Sequence, residues 1–260
     1  MNIQNCVERL VQAEVHQMPI EPLTDIFPSI TVDDAYQIQL AQIQRKVANG
    51  AVIIGKKIGL TSKVMQKMFQ VDEPDYGHLL DNMMYVDGDT VALGELIQPK
   101  IEFEIAFKLK KDLKGPGVTP LDVINATDYV VPAFEIIDSR IKDWQICFED
   151  TVADNGSSAK AIIGGSPTRI EEIDLQHIGM VVYKNGDYFD SAAGAAVMGN
   201  PIRAVAWLAN SLGKYDIGLH AGEMVLSGAL SAAVPIENGD TFTAEFAHIG
   251  SVSASFQEKE

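Results

Sequence analysis

Cysteine is nearly absent from this chain of 260 residues: Cys6 and Cys147 stand alone and far apart. Two such thiols make neither a disulfide framework nor a zinc-like spacing, and they fit a reducing, cytoplasmic setting. No apolar run approaches the length of a membrane span, and the opening Met1-Asn-Ile-Gln-Asn-Cys6 lacks the charged-then-apolar shape of a signal peptide. Positive charge is scarce as well. Lys and Arg number 20 against 36 Asp and Glu, a formal net charge of −16. No basic stripe is therefore expected to offset nucleic-acid phosphate or to dock on an anionic membrane. An anionic substrate must meet locally placed cations, and a bound metal would supply one.

What is present is a soluble globular composition, 47% hydrophobic and 22% charged, with length enough for one large domain or a domain with a small appendage. The most informative stretch is Lys100-Ile-Glu-Phe-Glu-Ile-Ala-Phe-Lys-Leu109. Its alternation predicts a β-strand with Ile101, Phe103, Ile105, Phe107 and Leu109 on one face and Glu102, Glu104, Ala106 and Lys108 on the other. Two steps along a strand cover about 6.5 Å, so the two carboxylates can converge on one cation. A third acid, Glu135, lies inside the apolar run Val130-Val-Pro-Ala-Phe-Glu-Ile-Ile137, where a carboxylate needs a positive partner or a metal. Three carboxylates suit a hard divalent ion, Mg²⁺ or Mn²⁺, rather than zinc. Alternating Glu on a strand also describes a solvated face, and spacing alone leaves both readings open.

The first fifty residues read as helical. Ile3, Val7, Leu10 and Val11 make one apolar stripe, and Val32, Tyr36, Leu40, Ile43 and Val47 a second. Thr31 with Asp34 resembles a cap, Gly50 a stop, and residues 18–28, with their three prolines, an extended connection. A short β run is expected at 51–55, a turn at 115–117, helices opening at Thr119-Pro120 and Asn200-Pro201, and β structure at 223–226, 242–246 and 251–256. The sum is an α+β fold with a mostly antiparallel or mixed β core, divided into a helical N-terminal segment (1–50) and a catalytic domain (51–260).

Chemistry-bearing residues gather in a few places. Lys56-Lys-Ile-Gly-Leu-Thr-Ser62 reads as a strand exit offering an ammonium and backbone N–H groups to a carboxylate, or merely exposed lysines. Asp72-Glu-Pro-Asp-Tyr-Gly77 reads as an acidic turn. Glu149-Asp-Thr-Val-Ala-Asp-Asn-Gly-Ser-Ser158 and Ser227-Gly228 offer hydroxyls beside glycine, where a ligand can approach the backbone, or else plain polar loops.

Taken in order, Lys57-Ile-Gly-Leu-Thr61, Val71-Asp-Glu-Pro-Asp-Tyr-Gly77, Ile101-Glu-Phe-Glu-Ile105, Phe134-Glu-Ile-Ile-Asp-Ser-Arg-Ile-Lys-Asp-Trp144 and Asp150-Thr-Val-Ala-Asp-Asn155 resemble the 2-keto-4-pentenoate (2-hydroxypenta-2,4-dienoate) hydratases of the fumarylacetoacetate hydrolase superfamily. The resemblance runs from about Gly55 to the C-terminus, and the helical lead-in is similar too. It implies the superfamily's mixed-sheet fold, Glu102, Glu104 and Glu135 as ligands to Mg²⁺ or Mn²⁺, and Lys57 rather than Lys56, with Asp75, as catalytic residues. It implies Leu60, Ser158 and Ser227 as substrate-binding residues, while Gly156 and Lys160 look less typical of the pattern.

The activity so implied is hydration of a small 2-hydroxy-dienoate, in equilibrium with its 2-keto acid, in meta-cleavage catabolism of aromatics. A homo-oligomer and association with a pathway decarboxylase are implied as well. Three alternatives remain: the sister 4-oxalocrotonate decarboxylase, a longer diacid hydratase such as one for 2-oxohept-4-ene-1,7-dioate, and a non-catalytic partner subunit.

Overall fold

Thr31 and Asp34 close a reciprocal cap, Thr31 Oγ1 accepting from Asp34 N while Asp34 accepts from Thr31 N at 3.0 Å. That cap starts α3 (Val32–Ala48), which packs against α1 (Ile3–His16). A short α2 (Leu23–Ile26) interrupts the connection read as extended, fixed by Thr24, whose N–H and hydroxyl both donate to Asp150. The structure, a computed structural model, describes residues 2–258. Met1, Lys259 and Glu260, the ends of the two expected ranges, lie outside the described residues.

Beyond α3 come β1 (Ile53–Gly59), α4 (Lys63–Met68), β2 (Asp75–Leu80), β3 (Met84–Val86), β4 (Thr90–Ala92) and the glutamate strand β5 (Lys100–Leu109). Helix α5 (Pro120–Ala126), opened by a second Thr–Asp capping box, leads into β6 (Thr127–Ile137). Then follow α6 (Phe148–Ala153), β7 (Ser158–Ile163), β8 (Gly179–Lys184), β9 (Asp187–Ala193), α7 (Pro201–Gly213), β10 (Met224–Leu226), β11 (Val234–Pro235), β12 (Thr241–Phe246) and β13 (Gly250–Gln257).

The sheets are mixed. One runs β2-β1-β10-β5-β6-β7-β3 with β11 added to β5; the other runs β4-β13-β12-β8-β9. β1–β10, β3–β7 and β4–β13 are parallel, the remaining pairs antiparallel. Although β2 and β7 lie far apart in the strand order, they touch, so the larger sheet curls into a roll with an inside and an outside. On the outside, Phe103 meets Phe134 edge-on at 5.5 Å and Phe242 of the second sheet at 6.0 Å. This is the main core, and each fully buried aromatic in it contributes about 1.5–3 kcal/mol. The inside holds Glu102 and Glu104 at one end. At the other, Leu79, Ala106, Val131, Ala133 and Leu226 form a second apolar cluster.

Local differences from the sequence reading follow from burial. The lysine pair lies within β1 rather than at its exit, because the strand runs on to Gly59. The acidic turn ends early: Asp75-Tyr-Gly77 opens β2, whose residues are buried on both faces and so show no alternation. The polar segment 149–158 is α6 plus one 3-10 turn, and Asp150 and Asp154 within it are buried.

Candidate active site

Pairing of β5 with β6 sets Glu102 directly opposite Glu135 and Glu104 opposite Ala133. All three acids point into the roll, and one carboxylate oxygen from each lies within 4.8 Å of the others. Glu104 and Glu135 are fully buried, Glu102 half-buried. A solvated face is thereby excluded. Glu104 Oε2 accepts from Gly228 N at 2.7 Å, while Glu104 Oε1 and both oxygens of Glu135 have no hydrogen-bond partner. Buried, unpartnered carboxylate oxygens facing one another are costly unless protonated or joined by a cation. Burial first, then mutual repulsion, drives Glu102 up to about 7 and Glu104 well above the usual range. An all-oxygen donor set of this kind fits a hard divalent ion.

Lys57 approaches from β1, its Nζ 3.5 Å from Glu135 Oε2. Burial disfavours its charge, but Glu135, Asp75, Glu102 and Glu104 together outweigh that and hold the ammonium above its ordinary range. Asp75, paired in the sheet with Gly59, is buried, and its Oδ1 has no partner. Burial pushes its carboxyl up, with Lys57 opposing. Only glycine fits at position 59, since a Cβ there would stand 2.0 Å from Asp75 Oδ1.

A cavity of about 550 Å³ opens above these groups. Lys57, Leu60, Asp75 and Glu102 line it; Glu104, Glu135, Ser158 and Ser227 are buried and are not among the lining residues. The hydroxyls of Ser158 and Ser227 are buried without partners. Leu60 adopts a left-handed backbone (φ 55°), turning the chain from β1 into α4. Met65, Met68 and Phe69 then form an apolar wall.

The segment 149–158 works largely from behind. Arg140 Nε meets Asp154 Oδ1 at 2.5 Å and its Nη1 donates to Ser158 O. Asn155 exchanges two hydrogen bonds with the His78 backbone, at 2.8 and 3.0 Å. The left-handed turn Asn155-Gly156-Ser157 is so pinned against β2, and Gly156 and Ser157 reach the cavity. Sequence reasoning missed Lys100, Trp144 and Ser231 as lining residues. Lys100 shares the strand face of Glu102 and was open to the same period-two argument, whereas Ser231 carried no signal.

The fumarylacetoacetate (FAA) hydrolase C-terminal family matches residues 51–257. The chain is 49% identical to the 2-hydroxyhexa-2,4-dienoate hydratase of Comamonas testosteroni over 253 residues, 96% of each chain. It is 44% identical to a 2-keto-4-pentenoate hydratase of Paraburkholderia xenovorans, covering 99% of this chain and 96% of that one. Among solved structures, the 4-oxalocrotonate decarboxylase of Pseudomonas putida G7, complexed with magnesium and adipate, matches with a TM-score of 0.95 and 41% identity, covering 98% of this chain and 97% of that one.

Proposed function

The chain belongs to the fumarylacetoacetate hydrolase family, and we propose that it is a metal-dependent hydro-lyase that adds water to 2-hydroxypenta-2,4-dienoate, giving 4-hydroxy-2-oxopentanoate in aromatic catabolism. The observation that carries this reading is the convergence of Glu102, Glu104 and Glu135, with Glu104 Oε1 unpartnered and Glu135 met by Lys57 as its one cation among the described residues, beside a largely apolar cavity that also presents Lys57 and Asp75. Full-length likeness to hydratases of such dienoates supports the substrate class.

Glu102, Glu104 and Glu135 would hold Mg²⁺ or Mn²⁺. When bound, the ion would supply Lewis acidity to the carbonyl of a 2-oxo acid. The overall chemistry needs a proton at C5 and loss of the 2-hydroxyl proton, giving a 2-oxo-3-enoate. Water then adds across C3 and C4, hydroxyl on C4 and proton on C3. Asp75 is the group suited to hold and return a proton, because burial favours its neutral carboxyl at the unpartnered Oδ1. Lys57, kept charged by the acids around it, positions Asp75 and Glu135 and balances their charge. Ser158 and Ser227 hold unpartnered hydroxyls buried behind the lining, and Leu60 bounds the substrate. Met65, Met68 and Phe69 give the hydrocarbon end of the substrate an apolar wall.

The same reading makes the protein a cytoplasmic homo-oligomer that associates with the decarboxylase of its pathway. Among the described residues no helix is long and apolar enough to cross a membrane. The structural likeness to 4-oxalocrotonate decarboxylase supports a second reading, release of CO₂ from a 2-oxo diacid. Loss of the dienol's ultraviolet absorbance, measured with Mg²⁺ or Mn²⁺ and again after EDTA, separates the two. Metal-dependent decay to 4-hydroxy-2-oxopentanoate is expected. Absence of decay, with CO₂ formed from 2-oxo-3-hexenedioate, would replace the hydratase by the decarboxylase.

A further inference from the structure

Among the described residues, Lys57 and Lys100 are the only cations lining the cavity. They are not equivalent. Lys57 is already committed to the buried acids, 3.5 Å from Glu135. Lys100 rests instead on an aromatic face, its Nζ 4.0 Å from the centre of the Trp144 ring. An aromatic face holds an ammonium without neutralising it, so the charge stays available to a ligand. The ring is itself fixed, for Trp144 Nε1 donates to Gln98 O at 3.0 Å.

Position adds to this. Lys100, Glu102 and Glu104 share one face of β5, and Lys100 pairs with Ile137 two residues beyond the Glu102–Glu135 pair. Two residues advance a strand by about 6.5 Å, within reach of a lysine side chain. Lys100 therefore stands over the acids on the side from which a substrate arrives.

Charge balance gives such a cation its use. With Asp75 neutral, as its burial favours, Glu102, Glu104 and Glu135 counted as ionised against Lys57 leave two negative charges, which a bound divalent ion would balance. The chain as a whole carries −16. The cluster then has no surplus positive charge for an anionic substrate, and Lys100 is the lining cation left to meet it. The remaining walls are apolar at Val64, Met65, Met68, Phe69 and Leu230 and otherwise carry only neutral hydroxyls, those of Thr61, Ser62, Thr151, Ser157 and Ser231, so a second carboxylate would be desolvated without a countercharge.

We propose that Lys100, seated on Trp144, pairs with the substrate's C1 carboxylate and, as the one lining cation outside the buried acid cluster, restricts the cavity to 2-oxo monoacids. This rests on the hydratase reading for its substrate class. The test uses 2-oxopentanoate, a saturated acid that cannot be hydrated, so that binding is read apart from turnover. Calorimetry on the Mg²⁺-loaded protein should show Lys100→Met weakening 2-oxopentanoate by about 10- to 100-fold, the usual loss for a hydrogen bond to a charged group. Lys100→Arg should retain most of the affinity, and Mg²⁺ binding without the acid should not change. The unaltered protein should prefer 2-oxopentanoate to 2-oxoadipate.

An unchanged dissociation constant in Lys100→Met would overturn the proposal, as would an equal loss of Mg²⁺ affinity, which would make Lys100 a support for Glu102. So would a loss confined to 2-oxoadipate, which would place Lys100 at a far carboxylate. If 2-oxopentanoate binds in a Lys100-dependent way while the dienoate is not hydrated, the hydratase reading fails and this one stands.

Discussion

Lys57 Nζ lies 3.5 Å from Glu135 Oε2, and both side chains are almost sealed from solvent, at 3% and 0% exposure. Two residues from facing parts of one curled sheet thus share a charge that neither could hold alone at that depth. The ammonium makes four nearby carboxyl groups tolerable, and those groups keep the ammonium protonated.

Lys57→Met should be the more damaging way to break this pair. It leaves Glu135 buried without its cation, a change that costs about 3–5 kcal/mol where one partner of a buried pair is removed. Turnover should vanish, and saturating Mg²⁺ should recover part of the lost stability by supplying the missing positive charge. Glu135→Gln should keep the fold and lose metal-dependent turnover. Thermal melts with and without Mg²⁺, beside the dienol assay, check both variants; full activity in Glu135→Gln would remove it from the metal site.

Stability without metal should fall as pH rises through neutrality. Glu102 sits at about 7 in the fold against an ordinary 4.5, raised first by burial and then by Glu135. A raised acid pKa contributes stability that is full below 4.5 and lost as pH climbs through 7. A divalent ion requires the ionised form, so the rise in Tm on adding Mg²⁺ should be larger at pH 8 than at pH 6. A metal-induced shift independent of pH would mean that Glu102 does not titrate in this window.

Gly156→Ala should disable the site while sparing the fold. Residue 156 has φ +59°, and a Cβ there would stand 2.7 Å from Lys57 Cε and 3.2 Å from Asp75 Oδ2. The left-handed backbone itself costs about 1–2 kcal/mol for alanine. Displacing Lys57 should reduce kcat by about 100-fold, the scale of a misplacement near 1 Å. Steady-state kinetics and a melting curve suffice; unaltered kcat would show that Lys57 has slack.

Lys56 should behave unlike its neighbour. It points to the other side of β1 and meets Glu223 Oε1 at 2.9 Å, at 3% and 9% side-chain exposure. Glu223 also accepts from His220 N. Lys56→Met should cost about 3–5 kcal/mol in denaturant unfolding, and the double variant with Glu223→Gln should recover much of it. The folded fraction of Lys56→Met should retain kcat, so a loss of kcat matching that of Lys57→Met would give Lys56 a chemical part as well.

Much of this site was legible because strand parity is strict. The alternation from Ile101 to Leu109 separates Phe103, which meets Phe242 in the core, from Glu104, which faces the acids. Caps were equally legible: Thr31 with Asp34 and Asn200 before Pro201 open α3 and α7. Closure of the roll was not, for β1 pairs Gly55 with Met224 across most of the chain, and no local pattern announces so distant a partner. Asp75 resembled a turn residue because Pro74 precedes it and both faces of β2 are buried. The polar stretch around Asp154 resembled a loop because its partner, Arg140, sits on another segment. By contrast, the Asn185-Gly186 turn of the β8–β9 hairpin was within reach of pattern alone.

The apolar cluster of Leu79, Ala106, Val131, Ala133 and Leu226 fills the inner end of the roll with side chains. The charged groups therefore end where that packing begins, and the acids sit at the bottom of a well, not along a tunnel. A ligand meets them from the cavity that Lys57, Asp75, Lys100 and Glu102 line.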